Sequence, residues 1–146
     1  MRILGLDYGS KTVGVAVSDP LQITAQALET IWRPRETKLR QTLARIDELC
    51  HQYEIEHIVI GYPLHMDGGM SDTAEKALAF RDMVVKRTGI EATMWDERLT
   101  TAAAGDILDE AGLKDRHERK AVIDQIAAGF ILQEYLDRYG KNASRE

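Results

Sequence analysis

The sequence predicts an α/β fold built on a mixed sheet, with three antiparallel strands first and parallel strands joined by helices after them. Three observations predict it. Two apolar runs, Ile3-Leu4-Gly5-Leu6-Asp7-Tyr8-Gly9-Ser10 and Val13-Gly14-Val15-Ala16-Val17-Ser18, flank a short turn and read as a β-hairpin. Alternation through Ile23, Ala25 and Ala27 extends it to a third strand within Ile23 to Trp32. Farther on, short apolar runs are separated by a stretch of helical periodicity, the pattern of a βαβ unit.

In the first strand Ile3, Gly5 and Asp7 share one face while Leu4 and Leu6 share the other. Asp7 therefore stands at a strand end on a face opened by glycine, with room for a metal ion, a phosphate or another backbone to approach. A break at Asp19-Pro20 precedes the third strand, and Pro34 follows it. Leu39, Leu43, Ile46, Cys50 and Tyr53 then recur at helical spacing, predicting a core-facing helix over Glu36 to Tyr53. Arg33, Arg35, Lys38 and Arg40 form a basic cluster at its start.

His57 to Gly61 reads as a buried central strand. The loop that follows, Tyr62 to Met70, carries proline, paired glycines and aspartate, and is long for a plain strand-to-helix connection. Asp72 and Glu75 resemble a capping box for a helix running to Thr88, with Gly89 supplying its left-handed terminus. The strand Glu91 to Trp95 delivers Asp96-Glu97-Arg98-Leu99-Thr100-Thr101 into an alanine-rich helix ended by Gly112. A basic stretch, Lys114, Arg116, Arg119 and Lys120, leads into the last helix, Glu118 to Tyr139.

With 146 residues the chain fits one domain over residues 1–140, followed by a disordered tail at 141–146. The lone Cys50 sits on the apolar stripe of its helix and reads as a small core residue. Neither a signal pattern nor a membrane span is found, so a soluble cytoplasmic protein is expected. A net charge of −5 argues against general polyanion binding, although a local basic patch, or cations held by the acids, would reverse that balance locally.

The last helix holds the most informative anomaly. Asp124 lies on one stripe with Ala127, Ala128, Ile131 and Tyr135, so a carboxylate occupies the middle of an apolar face. That placement is costly unless the charge is paired or binds a metal. Pairing with Lys120 or Arg98 is the structural alternative, and helix capping is the alternative for Asp96 and Glu97. A shared metal site explains Asp7, Glu97 and Asp124 together.

Gly5-Leu6-Asp7-Tyr8-Gly9, Gly14-Val15-Ala16-Val17-Ser18-Asp19, Gly61-Tyr62-Pro63-Leu64 with Met66-Asp67-Gly68, Asp96-Glu97-Arg98-Leu99-Thr100-Thr101 and Asp124-Gln125-Ile126-Ala127-Ala128 occur in order. On these motifs nearly the whole chain resembles the YqgF/RuvX family of ribonuclease-H-like proteins. Its members are described as Holliday-junction resolvases and as nucleases for precursor small-subunit ribosomal RNA. The resemblance implies a ribonuclease-H-like mixed sheet flanked by helices. It implies Asp7, Glu97 and Asp124 as catalytic acids, with Asp96 the competing carboxylate of its pair. The chain departs from the family pattern at Lys11-Thr12 and at His65, which bears on substrate contacts rather than on the acids.

Clustered carboxylates of this kind suit Mg²⁺ or Mn²⁺ and metal-assisted hydrolysis of a phosphodiester. Lys11, Arg98, Arg116 and Lys120 are the candidates for phosphate contact. The expected activity is 5′-end processing of pre-16S rRNA during ribosome biogenesis, with ribosomal particles as further partners. Resolution of branched DNA and catalytically inactive RNA binding in ribosome assembly are the alternatives. A sugar-kinase-like phosphotransferase would need a second domain to clamp its nucleotide. RNA trimming can be done by a monomer, whereas junction resolution favours a homodimer.

Overall fold

A computed structural model of the chain describes residues 2–9, 11–35, 38–62, 72–96 and 116–139. These fold as β1 (Arg2–Tyr8), β2 (Thr12–Ser18), β3 (Ala25–Trp32), α1 (Arg40–Gln52), β4 (Ile55–Tyr62), α2 (Asp72–Thr88), β5 (Ala92–Asp96) and α3 (Arg116–Tyr139). The five strands form one sheet in the order β3-β2-β1-β4-β5. β2 runs antiparallel to both β1 and β3, whereas β4 is parallel to β1 and β5 parallel to β4. This is the mixed sheet the periodicity predicts, and β4 lies inside it, between β1 and β5.

Period-2 alternation gives the sheet two apolar faces, and each has its own core. Leu4, Leu6, Val13, Val15, Ile58 and Ile60 point to one face, where they meet Ile46, Leu49 and Cys50 of α1 and Ala77, Phe80 and Val84 of α2. The predicted α1 stripe joins this core entire, with Leu39, Leu43 and Tyr53 at its margin. Burial raises the Cys50 thiol to about 12, which suits an inert core residue. Ile3, Ala16 and Val59 point the other way, onto Ala128, Ile131, Leu132 and Leu136 of α3.

Two glycines set the height of α3 above the sheet. A Cβ added to Gly5 would stand 2.8 Å from the Leu132 Cβ and 3.1 Å from the Ala128 carbonyl oxygen. One added to Gly14 would stand 1.9 Å from the carbonyl oxygen of Asp124. Glycine in β1 and β2 thus lets the α3 backbone at Asp124 and Ala128 rest almost on the strands.

Several boundaries differ from expectation for local reasons. β3 starts at Ala25 because the Asp19 carboxylate accepts hydrogen bonds from the Ile23 and Thr24 amides, at 2.7 and 2.9 Å, and curls residues 19–24 into a turn. Gln22 adopts φ 59° within it. Those amide donors also hold the Asp19 carboxyl below its ordinary range. α1 starts at Arg40 rather than Glu36. β4 starts at Ile55, two residues before the predicted strand, because Glu54 at φ 52° turns the chain directly off the end of α1. α3 starts at Arg116 rather than Glu118. The loop at 63–70 with His65, the alanine-rich helix and the tail at 141–146 lie outside the described residues. Among the described residues no helix is long and apolar enough to cross a membrane.

Candidate active site

Asp7 stands one residue from the end of β1 and pairs with Gly14 of β2 in the antiparallel register. Its alternation partners Ile3 and Gly5 both face α3, so Asp7 faces α3 as well. Asp124 arrives from the opposite side, its backbone seated on Gly14. The same glycine is therefore the register partner of one acid and the seat of the other. Both acids are buried, Asp7 at 7% exposure and Asp124 at 4%.

Thr12, fully buried at the start of β2, donates a hydrogen bond from its hydroxyl to Oδ2 of Asp124. The bond ties an α3 carboxylate to a strand 112 positions earlier in the chain. It restricts rotation of the carboxylate about its side-chain torsions, the kind of support a precise site requires. Sequence reasoning flagged Lys11-Thr12 only for its bearing on substrate contacts. The structure turns Thr12 inward to an acid and leaves Lys11 exposed in the hairpin turn. A strand glycine between β-branched residues is the signal that could have pointed to the close approach at Gly14.

The hairpin tip is braced from β3. Gly9 donates its amide to the Thr12 carbonyl at 2.8 Å, and the Arg33 amide donates to the Lys11 carbonyl at 2.9 Å. The buried Arg33 guanidinium donates to the Gly9 carbonyl and lies 5.1 Å from the Tyr8 ring centroid. Asp7 is thus followed by two residues, Tyr8 and Gly9, both held by the one Arg33 guanidinium.

The remaining candidates divide by position. Asp96 ends β5 and pairs with Tyr62 of β4, which places its backbone at the carboxyl edge of the parallel strands. Its side chain is outside the described set, as are Glu97 and Arg98 entirely. Arg116 and Lys120 lie in the first turns of α3, Lys120 one turn before Asp124. Among the described residues no three His, Cys, Asp or Glu side chains gather into a metal-holding group. The two acids that do converge offer only carboxylate oxygens, a donor set that fits a hard divalent cation.

In fold the chain is similar to RuvC of Thermus thermophilus, solved in complex with a Holliday junction substrate, with a TM-score of 0.59, 16% identity and 97% of each chain covered. A second structure of Thermus thermophilus RuvC gives a TM-score of 0.56 at 15% identity, over 94% of this chain and 95% of that one. The architecture is therefore ribonuclease-H-like.

The RuvX family model, described as Holliday junction resolvase, matches residues 1–138. The chain belongs to the RuvX family. It is 54% identical to a protein of Agathobacter rectalis over 99% of this chain and 100% of that protein, and 48% identical to one of Acetivibrio thermocellus over 97% and 99%. Both relatives are named "Putative pre-16S rRNA nuclease". The family is one of nucleases, and the activity to be accounted for is nucleic-acid hydrolysis.

Proposed function

We propose that this protein is a divalent-metal-dependent phosphodiesterase that processes the 5′ end of pre-16S rRNA in the cytoplasm, with Asp7, Glu97 and Asp124 as its catalytic acids. The observation that supports the reading is the convergence of Asp7 and Asp124, both buried, on the single residue Gly14. Carboxylates carried to one glycine by two elements repel each other when both are charged, and a cation held between them would remove the repulsion. Relatives near 50% identity over almost the full chain, named for pre-16S rRNA, point to that substrate.

Asp7, Asp124 and Glu97, with Asp96 as the alternative at the β5 end, would hold Mg²⁺ or Mn²⁺. When bound, the cation supplies an activated water and offsets charge developing on the phosphate oxygens. The chain's own part is positional. β1 fixes Asp7 through a paired strand, Thr12 fixes Asp124, and the glycine seat fixes the separation of α3 from the sheet. Lys11, Arg98, Arg116 and Lys120 would contact phosphates. Assembly with ribosomal particles would bring the substrate to this site.

Cleavage of branched DNA is the second reading, favoured by the description of the family model and by the RuvC-like fold. The deciding experiment presents the purified protein, with Mn²⁺ or Mg²⁺, with a precursor 16S rRNA fragment and with a synthetic four-way junction. Metal-dependent cutting of the RNA, abolished by chelator and by Asp124→Asn, is expected. Symmetric cutting of the junction alone would assign the second reading. Binding of RNA without cleavage would make the protein a non-catalytic assembly factor.

A further inference from the structure

We propose that the end of β3 and the start of α1 form a docking surface for single-stranded nucleic acid, in which Trp32 stacks an unpaired base and Lys38 and Arg40 hold the adjoining phosphates. The inference rests on the nuclease reading above and names the form of substrate that reaches the acids. Trp32 is 42% exposed at the end of the edge strand β3, so part of a large aromatic side chain is open at the surface. Trp32 is the register partner of Thr12, the residue that holds Asp124. Directly opposed residues of an antiparallel pair share a face, so Trp32 extends from the same side of the sheet as Asp7, two strands away, and as Thr12, one strand away.

Past Trp32 the chain bends along a cavity of about 460 Å³ lined by Trp32, Arg33, Lys38, Leu39 and Arg40. Lys38 and Arg40 are exposed there, and Lys11 and Arg35 stand exposed nearby in the hairpin turn and after β3. This basic cluster sits on a chain whose net charge is −5, so its concentration at the end of β3 and the start of α1 is a local feature and not a reflection of composition. Arg33 is committed to the hairpin, through Gly9 and Tyr8, and it couples the surface mechanically to the strand end that carries Asp7. An aromatic face beside a cationic groove is the pairing that binds single strands, because every unpaired base offers a π-face and every linkage a phosphate. A duplex offers its phosphates but no base face, so it can use the cations and cannot use Trp32.

The test measures binding in chelator, where cleavage does not intervene. A labelled twelve-nucleotide RNA, the DNA of the same sequence, and the corresponding duplexes are titrated against wild type, Trp32→Ala, Trp32→Phe and Lys38→Ala/Arg40→Ala. Trp32→Ala should weaken single-strand binding about 5- to 150-fold, the range of one lost base stack, and leave duplex binding within about twofold. Trp32→Phe should restore most of the affinity. Loss of both cations should weaken both forms and reduce the salt slope by roughly two. In a Trp95→Phe background, the single strand should quench the fluorescence of Trp32, a signature that a merely structural indole would not give. Comparison of the RNA and DNA arms shows whether the surface selects the sugar. An unchanged single-strand affinity in Trp32→Ala, with melting unchanged, would overturn the proposal, as would an equal loss for duplex. Absence of cleavage by a wild type that still binds single strands through Trp32 would overturn the nuclease reading and leave this one standing.

Discussion

A carboxylate in an apolar stripe has two physical explanations, and the hydrogen bond from Thr12 sharpens the difference between them. Asparagine at 124 keeps an oxygen that can accept the Thr12 hydroxyl and loses only the charge. If that charge serves to bind a cation, then in chelator it is repelled by Asp7 while the Thr12 hydrogen bond survives the substitution, and Asp124→Asn should be as stable as wild type or more stable. Metal-dependent cleavage by the same variant should fall at least about 100-fold, since a metal ligand acts on several kcal/mol of developing charge. If Asp124 were instead one half of a buried ion pair, the variant would lose roughly 3–5 kcal/mol and could retain cleavage. Denaturant melts in chelator beside a cleavage assay separate the two outcomes. That Asp7 and Asp124 would be buried acids was legible in the sequence because each violates its local pattern, one at the end of an apolar strand and one within an apolar helix stripe. Thr12 was not legible as the support of Asp124, because nothing local to residue 12 reports a partner 112 positions away.

At the scale of elements, the docking of α3 depends on space that two glycines leave open, and the spaces are unequal. Gly14→Ala would drive a methyl group to 1.9 Å from a backbone oxygen of α3, and a backbone cannot turn aside as a side chain can. Overpacking ordinarily costs about 1–3 kcal/mol, and this site should reach or pass the top of that range. Gly5→Ala meets its nearest atom at 2.8 Å, a side-chain carbon of Leu132, and should cost less. Gly129→Ala, in α3 with nothing within 4 Å, should stabilise by about 0.5–1 kcal/mol through helix propensity alone. The order Gly129, Gly5, Gly14, read from thermal melts, tests whether these contacts set the helix position; equal effects at Gly5 and Gly14 would refute it. The pattern of elements was readable because apolar period separates strand from helix so clearly here. Their ends were less so: the Asp19 side chain captures Ile23 and Thr24 for a turn although Ile23 continues the alternation of β3.

For the whole molecule, stability should respond both to protons and to metal, through different residues. His57 hydrogen-bonds Thr93 at 2.7 Å and stacks on Tyr135 of α3 with ring centroids 5.6 Å apart. Burial lowers its pKa from 6.5, with Glu91 and Glu56 opposing the shift. The unfolded chain therefore binds this proton more readily than the folded one, so the contribution of neutral His57 is fully present above pH 6.5 and is lost as pH falls through the lowered value. Melts between pH 8 and 5 should show that decline, and His57→Gln should flatten it. On the proposed reading metal would act at the acid pair, whose carriers β1 and α3 meet over β2 only in the folded chain. A cation that binds the folded chain alone stabilises it by about 2.7 kcal/mol at a hundredfold excess over its dissociation constant. Mn²⁺ or Mg²⁺ should thus raise the melting temperature above that in chelator, by several degrees for a chain of this length. The rise should vanish in Asp7→Asn and in Asp124→Asn, whereas His57→Gln should keep it. Ca²⁺ provides the control for charge alone, because a larger cation with looser geometry can screen the two carboxylates without supporting cleavage. A melting temperature that metal leaves unchanged, in the presence of a single-stranded oligonucleotide whose phosphates could complete the coordination, would mean that Asp7 and Asp124 do not form a cation site, and the convergence at Gly14 would then be packing alone.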